Sequence, residues 1–205
     1  MSEKGLLLAT TNQGKAKEIK TYLEGFSLEI ATLQELSTKG IFSESGKTFR
    51  ENARGKSLFY SKHWKGFTLA EDSGLEIEHL KGEPGVFSAR YSGPQATDEK
   101  NNQKVLALMT GVPFDKRKAR FVSCMVLCER GKIIKDIKEC VEGFITFEKR
   151  GLYGFGYDPL FYYPALEKTF AELKPEEKNR VSHRGRALKI LKKFLLDFLD
   201  GIRPS

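Results

Sequence analysis

Residues 5–23 read Gly5-Leu6-Leu7-Leu8-Ala9-Thr10-Thr11-Asn12-Gln13-Gly14-Lys15-Ala16-Lys17-Glu18-Ile19-Lys20-Thr21-Tyr22-Leu23. The first five are apolar and short, the pattern of a buried strand. Thr10 to Gly14 form a polar loop. From Lys15 to Leu23 a helix follows, with Ile19 and Leu23 four apart on one face. Strand, short polar loop, helix is the opening unit of an α/β fold, and the rest of the chain is read outward from it.

Downstream, Leu28-Glu29-Ile30 suggests a second strand. Thr48 to Trp64 carries a helical pattern weakened by Gly55. Phe67 to Ala70 and Leu75 to Leu80 read as strands on either side of an acidic turn, Glu71-Asp72-Ser73-Gly74. Lys81 to Gln95 is rich in Gly and Pro and reads as a loop. Thr97 suits a helix N-cap, and Asp98 and Glu99 suit the positive end of the helix dipole, for a helix running to about Met109. Arg120 to Cys128 and Lys132 to Phe147 look like an antiparallel pair turned at Arg130-Gly131. Gly151 to Asp158 is a glycine and aromatic loop. Ser182 to Leu199 is an amphipathic helix with Ala187, Leu188, Leu191, Phe194, Leu195 and Phe198 on one stripe. The expected fold class is α/β, a single domain with a mixed sheet.

The 205 residues carry 35 Lys and Arg against 27 Asp and Glu, a net charge of +8. That balance favours an anionic partner, or a solvated lysine-rich surface. Cys124, Cys128 and Cys140 are too few for a disulfide framework and lack Cys-x-x-Cys spacing for a thiolate zinc site. The stretch Met1-Ser2-Glu3-Lys4 and the four apolar residues that follow Gly5 are too short for a signal peptide. No apolar run approaches the ~20 residues that span a bilayer. A cytoplasmic protein with no membrane partner is expected.

Four segments carry candidate chemistry. Thr10-Thr11-Asn12-Gln13-Gly14-Lys15 places a glycine, an amide and a cation at a helix start, where unpaired N–H groups suit phosphate. It fails the P-loop pattern at Ala9 and Ala16, and alone it reads as an ordinary turn with a surface lysine. Glu71-Asp72-Ser73-Gly74, with Glu44, offers oxygen ligands for a hard cation; phosphate-bound Mg²⁺ uses only one or two protein carboxylates. Adjacent strand side chains point to opposite faces, so Glu71 and Asp72 need not meet one ion. Phe155-Gly156-Tyr157-Asp158 offers a flat face for a base and an acceptor for ring N–H groups, or aromatics for the core. Lys178 and Ser182-His183-Arg184 gather donors at a helix start, with Lys56 and Arg90 as further cations. A nucleic-acid binder using the basic surface would not need the acidic segments.

These segments, in order, resemble the noncanonical purine nucleoside triphosphate pyrophosphatases, also called inosine/xanthosine triphosphatases. The matching stretches are Ala9 to Lys15, Thr48-Phe49-Arg50-Glu51-Asn52-Ala53 with Lys56, Ala70 to Leu75, Gly85 to Gly93, Gly154 to Pro159, and Ser182-His183-Arg184. The resemblance spans nearly the whole chain. It implies an elongated mixed β-sheet flanked by helices, two lobes of one domain over residues 1–205, a central cleft and a homodimer. It implies Mg²⁺-dependent cleavage of the α–β phosphate bond of ITP, dITP and XTP, giving the monophosphate and pyrophosphate. By matching position, Thr10, Thr11, Asn12, Gln13, Gly14 and Lys15 would hold phosphate, assisted by Lys56 and Ser73. Glu44 and Asp72 would serve the metal, and Asp72 would activate water. Phe155, Gly156, Tyr157, Asp158, Lys178, His183 and Arg184 would hold the base and its sugar-phosphate. No stable nucleic-acid partner is implied. A related pyrophosphatase acting on modified pyrimidines is the alternative within enzymes.

Overall fold

In the computed structural model, which describes residues 5–26, 28–35 and 40–199, the opening segment forms β1 (Gly5–Leu8), and all four residues are buried. It runs parallel to β2 (Glu29–Thr32) on one side and to β3 (Phe67–Ile77) on the other. A parallel strand covered on both faces needs apolar residues at every position, and three leucines after Gly5 supply them. Leu6 and Leu8 pack on Ile19 and Leu23 of α1 (Gln13–Tyr22) and its C-cap, and on the stripe of α5 (His183–Leu199). Leu7 pairs off with Tyr60 and Phe59 of α2 (Phe49–Ser61) on the opposite face. The strand period of two thus distributes one segment between two helical layers.

The sheet has seven strands in the order β2-β1-β3-β4-β5-β6-β7, with β4 at Lys118–Glu129, β5 at Lys132–Ile145, β6 at Phe161–Tyr163 and β7 at Lys168–Thr169. β5, β6 and β7 pair antiparallel, so the sheet is mixed. Arg130 and Gly131 both have positive φ, 47° and 78°, which is what a two-residue hairpin turn requires. Helices α3 (Asp98–Leu108) and α4 (Pro175–Val181) complete the regular elements. Thr97 caps α3 through its side chain, as its sequence position suggests. Among the described residues no helix is long and apolar enough to cross a membrane.

The chain divides into two compact units. The first comprises residues 1–72, 123–139 and 184–205; the second comprises residues 73–122 and 140–183. β3, β4 and β5 each contribute residues to both. The core of the second unit gathers Leu75, Ile77, Val105, Phe121, Val141, Phe161 and Phe170. Its largest buried polar side chain is Arg117. That guanidinium donates to the carbonyls of Ile145, Met109 and Thr146 at 2.7 Å each and to Val112 at 3.3 Å. Burial lowers its pKa, yet the four carbonyls satisfy its donors.

Three expectations are corrected. Glu71 to Gly74 is not a turn between two strands but the middle of β3, which runs unbroken from Phe67 to Ile77. Gly74 serves close approach: a Cβ there would lie 2.2 Å from Ser88 Oγ, which accepts the Leu75 N–H. The 81–95 stretch is not all loop, for Gly85–Arg90 is a 3-10 helix. The short elements β6, β7 and α4 were not anticipated. The Met1 to Lys4 segment read against a signal peptide lies outside the described residues.

Arg117→Ala strands four buried carbonyls. We expect it to lower unfolding free energy by about 3 kcal/mol or more, measured by denaturant titration. A loss under about 1 kcal/mol would contradict this account of the second unit's core.

Candidate active site

The first unit assembles one half of the candidate residues. Asn12 is the N-cap of α1, its side chain accepting the Lys15 N–H at 3.0 Å, and its own N–H donates to Thr10 Oγ1 at 3.2 Å. Gln13 and Gly14 belong to the first helical turn rather than the loop. The N–H groups of that turn have no intrahelical acceptor, and they sit at the positive end of the helix dipole. Thr11, Asn12 and Gln13 are exposed, and Thr10 and Gly14 half-buried.

Lys15 is half-buried. Desolvation pushes its pKa below the ordinary 10.5, with Glu71 and Asp72 pulling it back up and Arg184 and Lys56 pushing further down. Five charged side chains from three helices and one strand therefore act on one another here. Lys56, on the second half of α2, is ion-paired with Glu44. Asn52 lies one turn earlier on the same helix. Its Nδ2 donates to Asp72 Oδ2 at 2.9 Å, and its Oδ1 accepts the Gly46 N–H at 2.8 Å. One buried amide thereby joins the Glu44 loop to Asp72.

The two adjacent carboxylates part company on β3. Glu71 is buried and accepts from Ser123 Oγ at 2.7 Å and from Arg184 Nε at 2.8 and 3.0 Å. Arg184 also donates to Glu18 at 2.5 Å. Burial acts to lower the Arg184 pKa, but Glu71 and Glu18 outweigh it and raise it. Asp72 is a different case. Desolvation raises its pKa above 3.8, Glu44 raises it further, and Lys15, Asn52 and Lys56 oppose the shift. Glu44 and Asp72 are thus oxygen donors whose like charges act on each other, an arrangement that a divalent cation relieves. Among the described residues no group of three or more His, Cys, Asp or Glu side chains forms a metal cage. Two carboxylates suit a cation that arrives with phosphate and keeps waters.

The second unit assembles the other half. Asp158 Oδ2 accepts the Phe155 N–H at 2.9 Å and Lys178 Nζ at 2.5 Å, both side chains of that ion pair being buried. Lys178 Nζ also lies 4.8 Å from the centroid of the half-buried Phe155 ring. Gly154 has φ +76°, and a Cβ there would fall 2.1 Å from Asp158 Oδ2, so glycine is required. Tyr157 points inward: its hydroxyl donates to the Ser88 carbonyl at 2.8 Å, and burial raises its pKa. His183 is buried and stacked on Phe121, with ring centroids 4.7 Å apart. Ser73 is half-buried on β3, and Ser182 caps α4.

The structure therefore groups Thr10 to Lys15, Glu44, Lys56, Asp72 and Arg184 in the first unit, and Ser73, Phe155 to Asp158, Lys178 and His183 in the second. Sequence reasoning gave no role to Asn52 or Ser123. Asn52 carried a signal: it falls between Phe49 and Ala53 on the buried stripe of α2, where an amide needs a reason to be.

Comparison with known proteins gives the family. The Ham1 family model matches residues 6–194. The chain belongs to the Ham1 family. It is 45% identical to the dITP/XTP pyrophosphatase of Thermoanaerobacter pseudethanolicus over 195 residues, covering 95% of this chain and 98% of that one. It is 43% identical to the dITP/XTP pyrophosphatase of Bacillus subtilis, covering 94% and 97%. The solved structure of a HAM1 protein from Coxiella burnetii superposes with a TM-score of 0.84 at 39% identity, covering 94% of this chain and 98% of that one. The Staphylococcus aureus Ham1 protein gives 0.83 at 38% identity, with the same coverage.

In this Ham1 chain the shift at Asp72 makes a prediction about stability. A carboxyl whose folded pKa exceeds its unfolded value disfavours the ionised folded state. That cost is absent below the unfolded pKa, grows as pH rises through the interval, and is full above the folded value. Asp72→Asn keeps an oxygen for Asn52 and removes the charge. Its melting temperature in metal-free buffer at pH 7 should equal or exceed the parent's, with the difference vanishing near pH 3. A variant that melts several degrees lower at pH 7 would contradict the desolvated state of Asp72.

Proposed function

We propose that this Ham1-family chain is a Mg²⁺-dependent nucleoside triphosphate pyrophosphatase. It hydrolyses dITP, ITP and XTP to the monophosphate and pyrophosphate, removing noncanonical purine nucleotides from the pool. The observation that carries the reading is the cluster of Lys15, Lys56, Glu44 and Asp72, with Asn52 holding the carboxylate. Two relatives of more than 40% identity are named dITP/XTP pyrophosphatases, which supports two of these three substrates.

A triphosphate brings close to four negative charges. The first unit is built for that load: it holds 21 of the 35 basic residues and 14 of the 27 acidic ones, hence +7 of the chain's +8. The α1 first turn receives phosphate oxygens on its N–H groups, and Lys15 and Lys56 neutralise them. Contact with phosphate draws Lys56 from Glu44. Glu44 and Asp72 are then the residues that would hold Mg²⁺, which would make water a stronger acid and offset charge on the phosphates. Asp72 takes the proton of the attacking water, while Asn52 fixes its orientation. Ser73 donates to a phosphate oxygen.

The second unit receives the base. Phe155 supplies the ring face, and Lys178, with the Ser182-His183 segment, supplies donors. Hypoxanthine and xanthine present a 6-oxo acceptor there, whereas adenine presents a 6-amino donor and leaves donor facing donor. Tyr157, Gly156 and Asp158 act by shaping the loop. Arg184, assigned to the base by sequence position, is committed to Glu71 and Glu18, so it acts by holding α1, β3 and α5 together near the phosphate. The chain acts in this reading as one catalytic domain, in a cytoplasmic homodimer.

The test is a panel of ITP, dITP, XTP, GTP and ATP, with and without Mg²⁺. Pyrophosphate should be released from the first three, only with the metal. Orthophosphate as the first product would refute the bond assignment. Two variants refine it. Asp72→Asn should lower kcat by about 10²-fold or more, and activity near the parent's would remove Asp72 from catalysis. Lys15→Ala should raise KM about tenfold, the loss of roughly 1.4 kcal/mol of phosphate binding, and an unchanged KM would take Lys15 out of the site.

A further inference from the structure

The Phe155-Gly156-Tyr157-Asp158 loop is held from outside as well as by its own Asp158. Both polar main-chain atoms of Gly156 are bound by side chains of α3. Asp98 Oδ2 accepts the Gly156 N–H at 2.7 Å, and Asn102 Nδ2 donates to the Gly156 carbonyl at 2.8 Å. Asp98 and Asn102 are one helical turn apart on the same face, so a rigid element presents an acceptor and a donor at fixed spacing. Gly156 has φ +62°, a left-handed conformation that glycine enters without strain, and the two bonds hold it there.

Asn102 is unusual in a second respect. It is 3% exposed, and its Oδ1 has no hydrogen-bond partner among the described residues. A buried acceptor without a donor costs stability. Among the described residues its side chain makes one hydrogen bond, to Gly156. What this buried side chain fixes is the main chain of the loop at Gly156. Asn101 next to it has a different duty, accepting from Ser92 and donating to the Ser88 and Ala89 carbonyls.

We propose that Asp98 and Asn102 are positioning residues for nucleobase selection, setting the Phe155 ring by gripping Gly156 from both sides. The inference rests on the reading of Phe155 as the base platform. The grip acts through the loop and touches no substrate. Its loss should therefore appear in base discrimination and KM, and leave the phosphate chemistry of the first unit alone.

The experiment measures kcat and KM for dITP and dATP, with melting temperature, on four variants. Asn102→Leu fills the same space and removes the stranded acceptor. Its kcat/KM ratio for dITP over dATP should fall about tenfold, mainly through KM for dITP, with the melting temperature held or raised. Asp98→Ala should lower the ratio similarly, and Asp98→Asn, which keeps an acceptor oxygen, should restore it. If Asn102→Leu lowers melting temperature and kcat together with the ratio unchanged, the role is structural and the proposal fails. Phe155→Ala separates the two levels. If it lowers the ratio and Asn102→Leu does not, the grip alone is refuted. If Phe155→Ala leaves the ratio unchanged, the base platform itself is misplaced and the inference falls with it.

Discussion

Adjacent side chains on a strand must point to opposite faces, and at residues 71 and 72 this geometric constraint separates two carboxylates that the sequence writes side by side. Glu71 turns to Arg184, Glu18 and Ser123 and becomes part of the frame. That frame ties β3 to α1 and α5, the elements that carry Lys15 at one end and the 183–184 segment at the other. Asp72 turns to Asn52 and remains a desolvated carboxylate with lysines in reach. The ion pair is worth having because it is complete: each of its charges is matched, and a buried charge left alone is strongly destabilising. At Asp72 desolvation outweighs the neighbouring lysines and raises the pKa, the kind of perturbed carboxyl from which a functional role is argued.

The second unit solves a related problem with a different outcome. Asp158 and Lys178 are buried together, and Asp158 also receives the Phe155 N–H. Here the ion pair is the shaping device, folding the aromatic loop around one carboxylate oxygen. The loop is glycine-rich because its backbone must pass within contact distance of that oxygen at Gly154. The charge of the chain follows the same division, with +7 in the unit given phosphate and +1 in the unit given a neutral base.

Much of this was legible in residues 5–23. Consecutive leucines required burial on both faces, and a polar stretch followed by a spaced Ile19 and Leu23 required a helix. The β4–β5 hairpin was legible because Arg130-Gly131 interrupts two β-rich runs. β3 was misread because local propensity sees Glu-Asp-Ser-Gly as a turn. Only side chains distant in sequence, Arg184, Ser123 and Asn52, make those residues tolerable inside a strand. The same limit hid Asn102, whose partner is 54 residues away. Arg184 stood out in the sequence within Ser182-His183-Arg184 but not as an ion-pair member, since nothing near it in sequence names Glu18 or Glu71.

The division of labour between residues 71 and 72 is tested most directly at Glu71. Glu71→Gln leaves Arg184 buried with one carboxylate instead of two, at a cost of about 3 kcal/mol and a melting temperature lower by about 10 °C. Measured well below that temperature, its turnover of dITP should stay within a few-fold of the parent's. A Glu71→Gln protein that melts with the parent and has lost turnover would contradict the account, because Glu71 would then belong to the chemistry and not to the frame.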